Sequence, residues 1–186
     1  MIVKTTKDIL AESFRELAHQ KSIRKITIKQ ITDNCAMAPA TFYRHFHSKE
    51  DLIKWDYNNR MREIIEKACE EGKTWTQLQL EYVRFYEQNK ELFVNIIQYT
   101  GGYETFTSIM TDISANQIKY YIRKVKNVAH LDSDLELYIR IYTYAATMIV
   151  CDWLFDTIEA KSEKIAVLLD NSLPLPLRKV IFNERI

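Results

Sequence analysis

The chain has 186 residues, of which 47% are hydrophobic and 27% are charged, so it can bury one sizeable core, or one small and one medium domain. It contains only three Gly and three Pro, the residues that the turns of β-proteins need. This scarcity argues against a β fold and predicts an all-α protein. The net charge of +1 says little about partners.

The distribution of charge is more informative. Residues 1–60 contain eleven Lys and Arg against seven Asp and Glu, whereas residues 61–186 contain fifteen against eighteen. A basic front part followed by an acidic remainder predicts that only the front part meets a polyanion. Chance scatter of charged residues is the alternative.

The cysteines and the apolar segments bear on the compartment. Cys35, Cys69 and Cys151 are far apart without a CxxC pair, so we expect reduced thiols in a cytoplasmic protein. No basic, apolar leader opens the chain, and secretion is not indicated. The most apolar window, residues 141–155, is too short to span a bilayer, so we expect a helix buried in protein and no membrane association.

The first part of the chain is predicted to form three helices. Apolar residues recur at helical spacing over residues 5–20. Thr27 and Gln30 form a capping box that opens a short second helix. Residues 35–37 are a predicted tight turn, and Pro39 suits the first position of a third helix that ends near Phe46.

The remaining residues are also predicted to be helical. Ser48 caps a helix that runs to about Glu71, where Gly72 breaks the pattern. Gly101-Gly102 is the clearest hinge, residues 130–133 form a loop, and Ser133 with Glu136 is a capping box. Further helices are expected at 74–89, 90–99, 103–127, 133–160 and 162–170, before a Pro-containing tail.

Two short helices joined by a tight turn form a helix-turn-helix, whose second helix can lie in the DNA major groove. Phe42 and Phe46 are four residues apart and would anchor that helix to the core. Hydroxyls and cations on its other side would reach phosphates, and Arg44 suits a bidentate contact with guanine. Each of these polar side chains, taken alone, is equally consistent with an ordinary solvated surface.

Residues 26–53, ITIKQITDNCAMAPATFYRHFHSKEDLI, resemble the DNA-binding domain of TetR-type transcriptional regulators. The shared pattern is a Thr-started helix, a turn, Thr-aromatic-Tyr-x-x-Phe and Ser-Lys-Glu-x-Leu. The resemblance implies a helix-turn-helix domain over residues 1–52 and a helical dimerisation and effector domain over residues 53–186, with nine or ten helices in all. The DNA-contacting positions that it implies are Thr27, Pro39, Ala40, Thr41, Tyr43, Arg44, His45 and Lys49.

The sequence departs from the family pattern at three positions near the turn. Ala36 and Ala40 stand where Gly is common, and Ala38 stands where Ser or Thr often caps the recognition helix. Pro39 compensates by pre-setting the first turn. These changes bear on affinity and sequence preference. We expect no metal site at His45 and His47, because two residues apart on a helix they point to different faces.

Residues 135–155 are apolar on nearly all sides of a helix, which therefore must be covered on nearly all sides. One side can face its own domain and the other a second copy, giving a twofold dimer suited to a palindromic operator. A monomer with one fully internal helix is the alternative. The residues that we expect at the dimer interface are Tyr138, Tyr142, Ala145, Ala146, Ile149, Trp153, Ile165, Leu168 and Leu169.

The second domain is rich in aromatic residues, which suit an amphipathic ligand pocket but are also ordinary core. Residues 85–102 and 144–155 resemble a subgroup near the regulators of dihydroxyacetone kinase operons, which implies that a protein partner is an alternative to a small ligand. The candidate ligand-binding residues are Tyr82, Phe85, Tyr86, Tyr103, Phe106, Tyr120 and Tyr142.

These observations predict a homodimeric DNA-binding repressor released by a small-molecule effector. The alternative is a co-regulator whose second domain binds a protein partner. An all-helical enzyme is a third hypothesis, but its candidate carboxylates lack a paired His or Cys, so we expect no catalytic residues and no cofactor. Those carboxylates are Asp112, Asp132, Asp134, Asp152 and Asp156.

Overall fold

A computed structural model describes residues 4–100, 103–126 and 130–182 of the protein. Every regular element in these residues is helical, which confirms the all-α prediction. One turn of 3-10 helix lies at Ile23–Lys25. The α-helices are α1 (Thr6–Gln20), α2 (Ile28–Asn34), α3 (Pro39–His45), α4 (Lys49–Glu70), α5 (Trp75–Gln88), α6 (Lys90–Tyr99), α7 (Tyr103–Lys126), α8 (Ser133–Leu154), α9 (Ser162–Asn171) and α10 (Leu175–Phe182).

Local sequence decides where α2 and α4 begin and where α4 ends. The Thr27 hydroxyl accepts the N–H of Gln30 at 3.1 Å, and the Gln30 side chain accepts the N–H of Thr27 at 3.1 Å. This is the predicted capping box of α2. Ser48 caps α4 by accepting the N–H of Asp51 at 3.2 Å. Gly72 follows α4 at φ +65°, a left-handed conformation that glycine adopts readily.

Helix α8 is shorter than predicted. It ends at Leu154 rather than near Ala160, because the backbone turns through Asp156 at φ +59°. The indole N–H of Trp153 donates to the carbonyl of Ala160 at 2.8 Å and holds the turned segment against the helix end.

The structure differs from the sequence analysis at two other places near the C-terminal helices. The cap of α8 is Asp132 rather than the predicted Ser133, and its carboxylate accepts the N–H of Leu135 at 2.7 Å. The Pro-containing tail, for which no helix was predicted, forms α10, which begins at Leu175 and tolerates Pro176 in its first turn. The predicted hinge at Gly101-Gly102 and residues 127–129 lie outside the described residues.

The core consists of two buried clusters. The first contains Phe42 and Phe93 and joins α1–α3 to α4–α9. The second contains Trp75 and Leu177 and joins the end of α4 to α5, α7, α8 and α10. The N-terminal helices are therefore packed on the rest of the chain. The expected boundary at residue 52 falls within the first turn of α4, a helix that contributes to both clusters.

Candidate functional site

Helices α2 and α3 form a helix-turn-helix that rests on α1. The Met37 N–H donates to the Thr32 carbonyl at 2.8 Å and closes the turn between them. Ala36, in that turn, has a φ of +54°. The buried Ser13 hydroxyl of α1 donates to the Ile31 carbonyl at 2.7 Å, which fixes α2 against its support.

Three aromatic side chains hold α3 from beneath. Phe42 and Phe46 are 0% and 2% exposed, and their ring centroids lie 5.7 Å apart. Phe46 also contacts the ring of Trp55 in α4 at 5.7 Å. Aromatic contacts at this distance add to the free energy gained from burial. The orientation of α3 is therefore set by its buried face.

The opposite face of α3 is polar and open to solvent. Tyr43 is 57% exposed, and Pro39, Ala40 and Arg44 are also exposed, whereas Thr41 and His45 are half-buried. The Arg44 guanidinium donates to the Thr41 hydroxyl at 3.1 Å, one turn earlier on the same face. A phenol, a hydroxyl and a guanidinium on one exposed face can donate hydrogen bonds to phosphate or to base edges.

Thr27 and Lys49 flank this face, and both already have internal partners. Thr27 is exposed, and its hydroxyl accepts the capping bond described above, which leaves its O–H available to donate. The Lys49 ammonium donates to the carbonyls of Ile23 and Ile26 at 2.9 and 2.7 Å, and lies 4.6 Å from the ring centroid of Tyr99. Burial lowers the pKa of Lys49. These carbonyl contacts could not be predicted from the sequence.

Asn95 of α6 ties the segment between α1 and α2 to the rest of the chain. Its side-chain oxygen accepts the N–H of Ile23 at 3.0 Å. Its side-chain nitrogen donates to the carbonyls of Ala18 and Lys21 at 2.9 and 3.0 Å. One amide therefore satisfies three backbone groups that no helix satisfies, and it couples the position of α1 and α2 to that of α6.

A buried ion pair joins α1 to α4. The Arg15 guanidinium donates to the carboxylate of Asp56, which is 7% exposed. Burial raises the pKa of Asp56 to about 6, and the charges of Arg15 and Arg60 oppose that rise. Desolvation of the carboxylate thus outweighs its attraction to the cations.

A cavity lies behind α5, between α4, α7 and α8, and it encloses about 770 Å³ of empty space when its solvent-open part is included. Four predicted ligand residues line it: Tyr82, Tyr86, Phe106 and Tyr142. Phe85 and Tyr120 do not. Phe85 packs against Arg60, and the Tyr120 hydroxyl donates to Glu66 at 3.0 Å. The side chain of Tyr103 lies outside the described residues.

The aromatic pattern missed most of the residues that line the cavity. They include Met61, Trp75 and Gln117, which come from three different helices. Such residues come together only because the helices pack against each other, and their spacing in the sequence does not predict which of them will meet.

One side of α8 exposes large apolar side chains. They fall within about 140° of the helix circumference at 100° per residue. Helix α9 adds Val167 and Leu168, which are 52% and 47% exposed. The exposed residues of α8 on this side, called the α8 face below, are Leu137, Tyr138, Ile141, Tyr144, Ala145, Met148 and Ile149.

The α8 face includes three of the predicted dimer residues, Tyr138, Ala145 and Ile149, and Leu168 is exposed on α9. Four others lie inside their own chain: Tyr142, Trp153, Ile165 and Leu169 are at most 9% exposed. The Tyr142 hydroxyl, for example, donates to the Leu169 carbonyl at 3.1 Å. These four side chains belong to the core and are not available to an intermolecular surface. Ala146 is half-buried.

The acidic residues considered for catalysis do not form a common site. Asp132 caps α8, and Asp156 pairs with Lys90. Within the described ranges, no three His, Cys, Asp or Glu side chains are grouped to hold a metal ion. No helix in those ranges is long and apolar enough to cross a membrane.

Comparison with solved structures supports the fold. The chain superimposes on the dihydroxyacetone kinase operon activator DhaS with a TM-score of 0.65 and 20% identity, covering 97% of this chain and 98% of that one. A TetR transcriptional regulator from Rhodococcus sp. RHA1 gives a TM-score of 0.61 at 14% identity, covering 89% and 94% of the two chains. At these identities the likeness establishes the fold.

Among curated proteins, the chain is similar to the HTH-type dhaKLM operon transcriptional activator DhaS of Lactococcus lactis subsp. lactis (strain IL1403). The two are 24% identical over 101 residues, which span 54% of this chain and 54% of that protein. The matched region is therefore about half the length of that relative.

Two family patterns match the sequence. The pattern described as bacterial regulatory proteins, tetR family, matches residues 9–54, and the pattern described as a transcriptional regulator C-terminal region matches residues 73–174. Both describe transcription regulators, which confirms the prediction that the protein is not an enzyme. The second match alone covers more than half of the chain, and the first coincides with the helix-turn-helix. The chain therefore belongs to the tetR family of bacterial transcriptional regulators.

Proposed function

We propose that the protein is a homodimeric repressor that binds a palindromic operator through α3 and is released by a small-molecule effector. The observation that carries this proposal is the division of α3 into a buried aromatic face and an exposed polar face. A helix that is held rigidly by its buried face can present its polar face to the major groove with little further loss of conformational entropy. The protein would act in the bacterial cytoplasm, where its DNA lies.

The proposed contacts divide by chemistry. Arg44 would read a guanine, while Thr41 and His45 would reach bases or backbone beside it. Tyr43 and Thr27 would donate their O–H groups to phosphate. At Pro39 and Ala40, at the start of α3, the protein backbone would lie close to the DNA. Lys49 would offer its third N–H, since two are bonded to carbonyls.

Dimerisation would bury the α8 face. Leu137 and Ile141 are 59% and 61% exposed. Removing such large apolar side chains from water would lower the free energy of the assembly. A second copy of the chain presents the same apolar surface, so the two faces can cover each other across a twofold axis without another partner. The twofold axis would also set the two α3 helices about 34 Å apart, the spacing of adjacent half-sites.

The DNA contacts can be tested on an operator selected from genomic fragments. Arg44→Ala should weaken binding about tenfold or more and relax preference at one base pair, and Tyr43→Phe should weaken binding uniformly across sequences. Arg84→Ala is the matched control, because Arg84 is an exposed cation on α5. Operator affinity measured against salt concentration distinguishes these effects. Wild-type affinity and selectivity for Arg44→Ala would show that α3 does not read the operator.

The dimer face can be tested with a single charge. Ile141→Glu would place an unpaired carboxylate in the proposed interface, and should convert the dimer to a monomer in sedimentation equilibrium. Val125→Glu makes the same kind of change at an exposed apolar residue on α7, and should leave the dimer intact. A dimer that survives Ile141→Glu would place the interface elsewhere.

A second candidate is an activator whose second domain binds a protein partner. Activation is favoured by the name DhaS, which is called an operon activator both in the curated relative and in the solved structure. Deletion of the gene distinguishes a repressor from an activator. Expression from the promoter next to the bound operator should rise for a repressor and fall for an activator.

A further inference from the structure

The cavity behind α5 contains no charge. None of its lining residues is Lys, Arg, His, Asp or Glu, and most are aliphatic or aromatic. Transfer of an unpaired charged group into such a site costs several kcal/mol or more. A charged ligand would therefore find no compensating ion pair within the described walls.

Three residues that line the cavity each have a buried polar atom without a hydrogen-bond partner among the described residues: Trp75 Nε1, Tyr82 OH and Gln117 Oε1. Two further buried atoms without partners, on Thr111 and Asp170, belong to residues that do not line the cavity. A buried polar group without a partner is rare and destabilising, by about 1–3 kcal/mol each. The cavity walls therefore concentrate unmet hydrogen-bonding capacity.

The chemistry of these three groups is defined by their surroundings. The Gln117 side-chain nitrogen donates to the Asn58 side-chain oxygen at 2.7 Å, which directs the amide and leaves its oxygen as an acceptor. The Trp75 indole can only donate. Burial raises the pKa of Tyr82 well above its ordinary value, so its phenol stays protonated and can donate or accept.

Two tyrosine hydroxyls of the cavity walls already have partners. The Tyr142 hydroxyl donates to the Leu169 carbonyl, and the hydroxyls of Tyr86 and Tyr57 bond to each other. The polar groups of the walls are few and stand among mainly apolar side chains. That combination selects a molecule that is mostly apolar and carries one small polar group.

We infer that the cavity binds an uncharged, mainly apolar molecule bearing a hydroxyl group, which accepts from Trp75 or Tyr82 and donates to Gln117. This inference rests on the proposed effector-controlled function and specifies the chemical class of the effector. A polyol would lose more hydrogen bonds to water than three wall groups can replace. A pure hydrocarbon would leave all three unpaired.

The test uses four probes and isothermal titration calorimetry on the full-length protein. The probes are 4-propylphenol, propylbenzene, 4-propylbenzoate and glycerol. We expect 4-propylphenol and propylbenzene to bind, and the charged probe and the polyol not to bind. The informative quantity is the hydroxyl preference, which is the dissociation constant of propylbenzene divided by that of 4-propylphenol.

Tyr82→Phe removes one hydroxyl without breaking any internal hydrogen bond, so it should fold as well as the wild type. It should lower the hydroxyl preference about threefold to tenfold while leaving the affinity for propylbenzene unchanged. Trp75→Phe should lower the preference by a similar factor. Tyr120→Phe is the control, because it makes the same chemical change at a tyrosine that does not line the cavity, and the preference should stay as in the wild type.

Three results would overturn the inference: binding of 4-propylbenzoate in preference to the phenol, absence of binding by both neutral aromatic probes, or an unchanged hydroxyl preference in Tyr82→Phe and Trp75→Phe. Operator binding is measured separately without any probe. Its loss would refute the proposed function, whereas failure of the probes alone would refute only the ligand class.

Discussion

The turn before α3 has an Ala where the backbone favours Gly, and replacing it should stabilise the protein. Ala36 has a φ of +54°. An L-residue in the left-handed region costs about 1–2 kcal/mol, and glycine gives back about 0.5–1 kcal/mol through its greater freedom in the unfolded chain. Ala36→Gly should therefore raise the free energy of unfolding by about 0.5–1 kcal/mol.

Urea unfolding monitored by circular dichroism measures this change, at one fixed protein concentration because the proposed dimer would unfold in a concentration-dependent way. Ala40→Gly is the matched control. Ala40 is also exposed but lies within α3, where glycine should lower the free energy of unfolding by roughly 0.5–1 kcal/mol. The same chemical change thus has opposite expected effects at a turn position and at a helix position. Equal destabilisation by both variants would show that the turn carries no conformational strain.

Two further predictions concern the contacts that join α1 to the rest of the chain. Asp56 has a pKa raised to about 6 from an ordinary 3.8, so its ionisation destabilises the folded state as the pH rises from about 4 to above 6. Asp56→Asn removes this dependence, and the stability of the wild type relative to the variant should fall over that range by at most about 3 kcal/mol in urea unfolding. If the difference in free energy of unfolding between the wild type and Asp56→Asn did not change with pH, the raised pKa of Asp56 would be contradicted. Asn95→Leu should cost about 2–3 kcal/mol, because three backbone groups lose their partner. Gln98→Leu, a nearby exposed position whose side chain has no such role, should change little, and equal losses would show that the Asn95 bonds contribute nothing.

The helix-turn-helix region was predictable because its signals are local. The Thr27 and Gln30 capping box, the turn and the Phe42 and Phe46 pair all lie within a few residues of what they organise. The resemblance over residues 26–53 predicted the family, and it required no knowledge of contacts between distant parts of the chain.

The exposed apolar face of α8 was only partly predictable, because both sides of the helix are apolar in sequence. Helical periodicity cannot tell which side the chain covers itself, so Tyr142 and Trp153 were assigned to the wrong side. Helix α10 was missed since Pro174 and Pro176 resemble a loop, although proline is accepted in a first turn. The carbonyl partners of Lys49 come from residues more than twenty positions earlier in the chain.

Helix α4 runs without a break for 22 residues, a rod of about 33 Å. Its first turn carries Lys49, beside the DNA-binding helices, and Met61 and Ile65 of its second half line the cavity. A rigid rod of this length that tilts by about 5° around its middle moves each end by about 1.4 Å, enough to break a hydrogen bond. A ligand in the cavity that displaced the second half of α4 would therefore also displace Lys49, with no need for the intervening residues to rearrange.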